Sequence, residues 1–200
     1  MKHLYSIRVA LVIAVAFTVF GSGAVAAAGQ GPTEFLKSND KKLKPLLADT
    51  AKNRKKILST ISAMMDFDAL CKASLGKHWD GRTPEEQKTF SETLRALIEK
   101  NLIKRLKDSK DHIITYGTES VTGDNAKVPT TVKAGSGARA DETEVVYELH
   151  KKEGKWIVID MITDEVSLVS NYQSQFNKII TEEGWDALMK KMTDKLAEKE

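Results

Sequence analysis

Thr83-Pro84-Glu85-Glu86 leaves the chain around it little choice but to begin a helix. Thr83 is a good N-cap, and Pro84 takes the first helical position, where its missing N–H costs nothing. Glu86 completes a Thr-x-x-Glu capping box. The residues that follow place Phe90, Leu94, Leu97, Ile98, Asn101, Leu102 and Leu106 on one stripe of a 3.6-residue period, with mainly apolar side chains and enough width to face a core. Immediately upstream, Asp66 caps a second helix, and Gly76 ends it in a left-handed turn. Two helices back to back, from Met65 to Leu106, are the frame against which the rest must pack.

Before this frame, Thr33 opens a helical segment with Phe35, Leu36, Leu43, Leu46 and Leu47, which Pro45 should kink or end. A helix from Asp49 follows, with Ile57, Leu58, Ile61, Met64 and Met65 as its apolar side. Its Lys52, Arg54, Lys55 and Lys56 read as a solvated face, with a docking surface for acidic partners or anionic headgroups as the sharper alternative. After Leu106 the period changes. Ile113–Ser120 reads as a strand, and Thr122–Asn125 as a turn. Ala126–Lys133 alternates as a half-buried strand in which Pro129 marks an edge or a bulge. Gly135-Ser136-Gly137 is a loop. Thr143–Leu149 and Trp156–Ile162 form the last two strands, the final one apolar on both faces and therefore central or covered. A helix begins near Val166–Ser170 and stops at Gly184, and a last helix carries Leu188, Met189, Met192 and Leu196. Helices, a meander of about four antiparallel strands, then helices is an α+β order.

Lys2 and Arg8, the apolar run from Val9 to Phe20 and Ala24-Val25-Ala26 have the form of a secretory leader, too short for a membrane span. The expected division is a signal peptide over 1–26, a flexible lead-in over 27–32 and one domain over 33–200. The mature part then holds 29 basic against 28 acidic residues, which gives no reason to expect nucleic acid. Cys71 is the single cysteine, so no internal disulfide forms, and its place beside Leu70 on a helix suits a small core residue. His78, His112 and His150 are dispersed, and no metal-site spacing, nucleophile elbow, P-loop or dinucleotide fingerprint is present. Two S-x-x-K matches lack an accompanying K-T-G. Asp160, inside an apolar strand, must be paired or protonated if buried, and reads as a hydrogen-bonded structural acid ahead of a catalytic base.

One ordered set of strings carries a family resemblance. F-D-A-L-x-x-x-x-L-G-x-x-W from Phe67 to Trp79 is followed by T-P-E-E-Q-x-x-F from Thr83 to Phe90. Later come G-K-W-I-V-I-D-M from Gly154 to Met161, V-S-L-V-S-N-Y-Q-S-Q-F from Val166 to Phe176 and G-W-D-A-L from Gly184 to Leu188. Together they resemble the MlaC-type periplasmic phospholipid carriers, also called toluene-tolerance auxiliary proteins, of which a hopanoid-associated branch exists. The resemblance implies helices held against a strongly curved sheet around an apolar cavity, loosely like a nuclear-transport-factor or cystatin arrangement. It implies a monomer with no cofactor. The cargo would be one phospholipid, carried across the periplasm between an outer-membrane lipoprotein–porin complex and an inner-membrane ABC transporter bearing an MCE-domain protein, which maintains outer-membrane lipid asymmetry.

A two-chain lipid presents about thirty methylenes, and exposing them to water would cost on the order of 25 kcal/mol. The cavity must therefore be large and apolar. Candidate lipid-binding residues are Leu94, Leu97 and Ile98 on the long helix, and Val132, Val145, Tyr147 and Met161 on the sheet. Val166, Leu168, Val169, Tyr172 and Phe176 beyond it complete the set. Tyr172 would put its hydroxyl at the mouth. Three other readings stay open: a carrier of hopanoid or another hydrophobe, an isomerase using Asp160 and a tyrosine as acid and base, and a periplasmic interaction module without a cavity.

Overall fold

In the computed structural model of the chain, residues 30–106, 112–134 and 141–198 are described. The expected leader, the first half of the lead-in and the Gly135–Gly137 loop lie outside them. Six α-helices and six strands follow in order: α1 (Pro32–Leu43), α2 (Thr50–Met64), α3 (Phe67–Leu75), α4 (Pro84–Leu106), β1 (Ile113–Tyr116), β2 (Ser120–Thr122), β3 (Asn125–Ala134), β4 (Asp141–Lys152), β5 (Lys155–Thr163), β6 (Val166–Ser167), α5 (Leu168–Glu183) and α6 (Trp185–Ala197). The architecture is α+β, with helices flanking an open antiparallel sheet.

The helix starts are where local chemistry puts them. Thr83 Oγ1 accepts from the Glu86 amide at 3.2 Å and the Glu86 carboxylate accepts from the Thr83 amide at 2.8 Å, so two orphan donors are satisfied reciprocally. Asp49 caps α2 and Asp66 caps α3 in the same way. Gly76 ends α3 with φ of +56°, which favours glycine, and a Cβ there would lie 2.5 Å from Gln173 Nε2 and push that side chain aside. α1 stops at Leu43, and Pro45 sits within a 3₁₀ turn from Lys44 to Asp49.

Phe90 is the hub of the helical layer. Its ring lies 5.5 Å from Phe176 of α5, 6.0 Å from Trp185 of α6 and 6.4 Å from Trp79 in the loop before α4. Leu94, Leu97 and Ile98 continue the buried stripe, Leu102 and Leu106 are half-buried, and Asn101 is exposed. Ile103, outside the expected stripe, is also buried, because α4 is packed both by α2 and by α6. Cys71 belongs to this core; burial pushes its thiol up to about 11.

The sheet runs β1-β3-β4-β5-β6, with β2 also paired to β3. Six strands replace the expected four, and the single strand expected from Ile113 to Ser120 is divided. Gly117 donates its amide to the Pro129 carbonyl at 2.8 Å, and Pro129 has no N–H to return, so the ladder is interrupted there. Pro129 is thus in an interior strand, opposite the gap in its neighbour, rather than at an edge. Val166 opens β6 instead of the following helix. Between β4 and β5 the register shifts: Glu148 faces Asp160 while Leu149 faces Val158, leaving Ile159 as a bulge.

Helices and sheet are joined at the α2–α3 corner. Met65 bridges to Val158 of β5, and the Asp66 amide donates to the Val158 carbonyl at 2.8 Å. The Asp66 carboxylate, 5 % exposed, takes Lys152 Nζ at 2.8 Å and the Ala69 amide at 3.1 Å. Burial pushes this carboxyl up, but the bonds from Lys152 and Ala69 and the lysine's charge together hold it below the ordinary carboxylate value. A depressed carboxylate stabilises the fold above its unfolded pKa, and that contribution is lost as pH falls through the folded value. Asp66→Ala should lower unfolding free energy by about 2 kcal/mol at neutral pH, through loss of the cap and of a buried acceptor. The gap between variant and wild type should narrow as pH falls below the ordinary carboxylate range. Urea unfolding at several pH values measures both.

Candidate functional site

Two hollows lie between the helices and the inner face of the sheet. The inner one has a volume of about 190 Å³ and an almost wholly apolar wall. Leu36 and Leu43 of α1, Leu47, Ile61 and Met64 of α2, Met65, and Leu102 and Leu106 of α4 close it from the helical side. Ile114, Tyr116, Val132, Tyr147, Val158 and Met161 close it from the sheet. The bulge at Ile159 matters here. Val158 and Met161 are three residues apart, which in a regular strand would put them on opposite faces, yet both line this space.

Asp40 and His112 complete the inner wall. Asp40 Oδ1 lies 3.0 Å from His112 Nε2, and Lys44 Nζ donates to the His112 carbonyl at 3.3 Å. These bonds tie α1 and the turn after it to the start of β1. Two tyrosines share the neighbourhood. Burial, with the Asp40 charge nearby, pushes the Tyr147 phenol up to about 12 and drives that of Tyr116 upward as well. Both phenols therefore stay protonated at any physiological pH.

The outer hollow is a wider groove of about 790 Å³ between the end of α4, the β5–β6 turn and the first turns of α5. Its floor is Ile98, Leu102, Met161 and Leu168, and its rim is Asn101, Lys104, Arg105, Thr163, the exposed Val166, Asn171, Tyr172 and Gln175. Leu102 and Met161 line both hollows, so these two side chains stand between the two spaces. Tyr172 stands at the rim and stacks on Phe176 at 5.3 Å. Burial raises its phenol, opposed by a hydrogen bond with Asn101 and by the charge of Arg105.

Of the residues singled out from sequence, Val132, Tyr147 and Met161 come together in the inner hollow, and Ile98, Met161, Val166, Leu168 and Tyr172 in the groove. Leu94, Leu97 and Phe176 are buried in the helical core and line neither. Val145 and Val169 are half-buried and also line neither. The walls given by α1 and α2 were not singled out. Leu36, Leu43, Ile61 and Met64 read as ordinary core positions, and nothing in their spacing separates a residue facing a hollow from one facing a neighbour.

Asp160 lines neither hollow and is 8 % exposed. Its Oδ1 accepts from the amides of Met161 at 2.8 Å and Val169 at 3.1 Å, and its Oδ2 from the Ser167 hydroxyl. Ser167 in turn caps α5 by accepting from the Ser170 amide at 3.0 Å. The carboxylate thus joins β5, β6 and the start of α5. Among the described residues no group of three or more His, Cys, Asp or Glu is placed to hold a metal ion, and no helix is long and apolar enough to cross a membrane.

A family model described as MlaC protein matches residues 33–194. Among solved structures, the chain is similar to the phospholipid-binding protein from Ralstonia solanacearum in complex with a phospholipid. The TM-score is 0.73 at 17 % sequence identity, over 82 % of this chain and 95 % of that one. At this identity the likeness is one of fold. No curated protein matches by sequence.

Asp160→Ala should leave the Ser167 hydroxyl and two buried amides without their acceptor. A loss of about 2–4 kcal/mol is expected in urea unfolding, with faster amide exchange at Val169. A variant as stable as wild type would mean that the junction is held by other contacts.

Proposed function

Since the chain belongs to the MlaC protein family, we propose that it is a lipid carrier that holds one phospholipid, with its acyl chains in the paired hollows and its headgroup at the groove rim. The observation that carries this reading is the sharing of Leu102 and Met161: an inner apolar space lies just across these two side chains from a groove whose floor is apolar and whose rim is polar. Such a gradient matches an amphiphile end to end. The volumes together come near the upper end of the ~300–1,000 Å³ usual for ligand pockets. The inner wall carries three methionines, Met64, Met65 and Met161, whose unbranched side chains can rearrange around chains of different length. The likeness in fold to a protein solved with a phospholipid supports the same class of cargo.

In this reading the protein is exported by its leader, residues 1–26, and works in the periplasm over the domain 33–200. It receives lipid from, or gives it to, an outer-membrane lipoprotein–porin complex and an inner-membrane ABC transporter with an MCE-domain protein. The chain carries no nucleotide-binding motif, so the work of transport is done by the partner. The binding residues are Ile98, Val132, Tyr147, Met161, Val166, Leu168 and Tyr172, joined by the α1, α2 and α4 residues of the inner wall. Leu94, Leu97, Val145, Val169 and Phe176 support that wall from behind. Asp160 has its oxygens committed to the β5–α5 junction, which favours the carrier over an isomerase built on that carboxylate.

Solvent extraction of natively purified protein, followed by mass spectrometry, tests the proposal. About one phospholipid per chain is expected; a polycyclic mass would indicate a hopanoid carrier, and an empty extract would overturn the carrier reading. Leu168→Trp, which fills the groove floor, should reduce lipid recovered by several-fold while leaving the circular-dichroism spectrum unchanged. Met161→Trp, at the junction, should admit only shorter chains.

A further inference from the structure

α1, α3, α4 and α6 each carry an acid in the first turn and a base in the last, the order that the helix dipole favours. α2 departs from it. Its first two turns hold Lys52, Lys55 and Lys56, and none of its residues, Thr50–Met64, is an acid. The three lysines are exposed, and at spacings of three and four they lie side by side on one stripe that Ser59 and Ala63 extend. Among the described residues none of the three has an ion pair or a side-chain hydrogen bond. Asp49 spends its carboxylate on the Lys52 amide, and Glu99 of α4, which reaches Ser62, is paired with Arg95. Arg54 is half-buried and already engaged, and stands outside the stripe. The surrounding sequence has the same bias. Residues 41–56 hold seven of the 29 basic residues of the mature part and one of its 28 acids, a net of +6, so the remainder is net −5. Residues 107–111, outside the described ones, add two lysines and two aspartates and so no net charge.

These placements work against the helix that carries them. Like charges three and four apart repel, and cations in the first turns oppose the dipole. A face that gains nothing locally from its charges is suited to a partner that does. The residue types say which partner. The exposed residues of α2 are Ala51, Lys52, Lys55, Lys56, Ser59 and Ala63. Lysine, serine and alanine are depleted at protein–protein interfaces, and no aromatic or arginine anchor stands among them. A layer of anionic headgroups needs neither anchor nor matching shape, because it takes ammonium groups as point charges. Resting on the carrier reading, we propose that Lys52, Lys55 and Lys56 seat α2 on the surface of an anionic bilayer. The same helix gives Ile61 and Met64 to the inner hollow, so docking holds that wall one helix thickness from the membrane that supplies or receives the lipid.

The test uses the full mature chain as purified, sedimented with vesicles of phosphatidylcholine alone or of phosphatidylcholine and phosphatidylglycerol in equal amounts. Wild type should bind the anionic vesicles about tenfold or more tightly than the neutral ones, and lose that preference in about 0.5 M salt. Lys52→Gln, Lys55→Gln and Lys56→Gln together should abolish the preference while the urea midpoint stays equal or rises, since the removed charges burden the helix. Lys190→Gln, Lys191→Gln and Lys195→Gln on α6, the same loss of charge from lysines that are paired with acids, should leave it in place. Equal binding to both vesicles overturns the proposal and assigns the stripe to an acidic protein instead. A preference that survives the α2 variant, or that falls as far in the α6 variant, also overturns it, because the attraction then belongs to another face or to net charge. Lipid extracted from the same samples reports on the carrier reading separately: docking refuted with lipid present leaves that reading standing, and a chain that holds no lipid overturns it together with the docking that rests on it.

Discussion

Asp160 is the joint on which the groove depends. A strand ending at Thr163 must reverse, form two residues of β6 and launch a helix whose first turn floors the groove. One carboxylate holds all three pieces, by bonding its own strand, the Ser167 hydroxyl and the Val169 amide. Because Ser167 also caps α5, the direction in which Leu168 and Tyr172 leave the sheet is fixed by the same set of bonds. A carboxylate buried in this way satisfies several donors that would otherwise be orphaned, and so it costs less than its charge alone suggests.

The hollow it helps to shape runs against ordinary packing. At about 24 cal/mol for each Å³ left unfilled, an inner space of 190 Å³ forgoes on the order of 5 kcal/mol of contacts. Elsewhere the molecule is firmly tied. Phe90 gathers three aromatic rings, Met65 and Asp66 join the helices to β5, and the Asp40–His112 pair binds α1 to the first strand. Met65, Asp40 and His112 are themselves part of the inner wall, so the ties that hold the fold also hold the shape of the space.

Much of the frame was legible from local chemistry. The Thr83–Glu86 box, the Asp66 cap and the Gly76 stop are each decided within a few residues, and each appears where its residues predict. The structural part for Asp160 and the core place of Cys71 followed from burial alone. The divided first strand was legible only in part: Gly117, a poor strand former, marks the break, but its cause includes Pro129, a residue on a different strand. The hollow was legible only in part. Met161 and Tyr147 were found from the facing of helix and sheet, but Val158 joins them through a bulge that no alternation reveals. Leu94, Leu97 and Phe176 share the apolar character of lining residues, and only their contacts with Phe90 and its neighbours place them in solid core. Leu36 and Ile61 show the converse, core-like in pattern and facing empty space.

The two margins of the sheet are unlike. One ends on β6, two residues long, which pairs only Ile162 and Thr163 of β5 and leaves most of that strand's outer side with the single bridge from Met65 to Val158; the other is split between β1 and β2, of four and three residues, by the interruption at Gly117–Glu119. A long free margin would present a row of unpaired amides and carbonyls to any passing strand, and a protein with an apolar interior open to one side is the kind of molecule for which such a meeting ends in fibrils or precipitate. On the β1–β2 side the break removes the template; on the β5 side α3 and α5 pack close to the strand and the α2–α3 corner occupies one of its rungs.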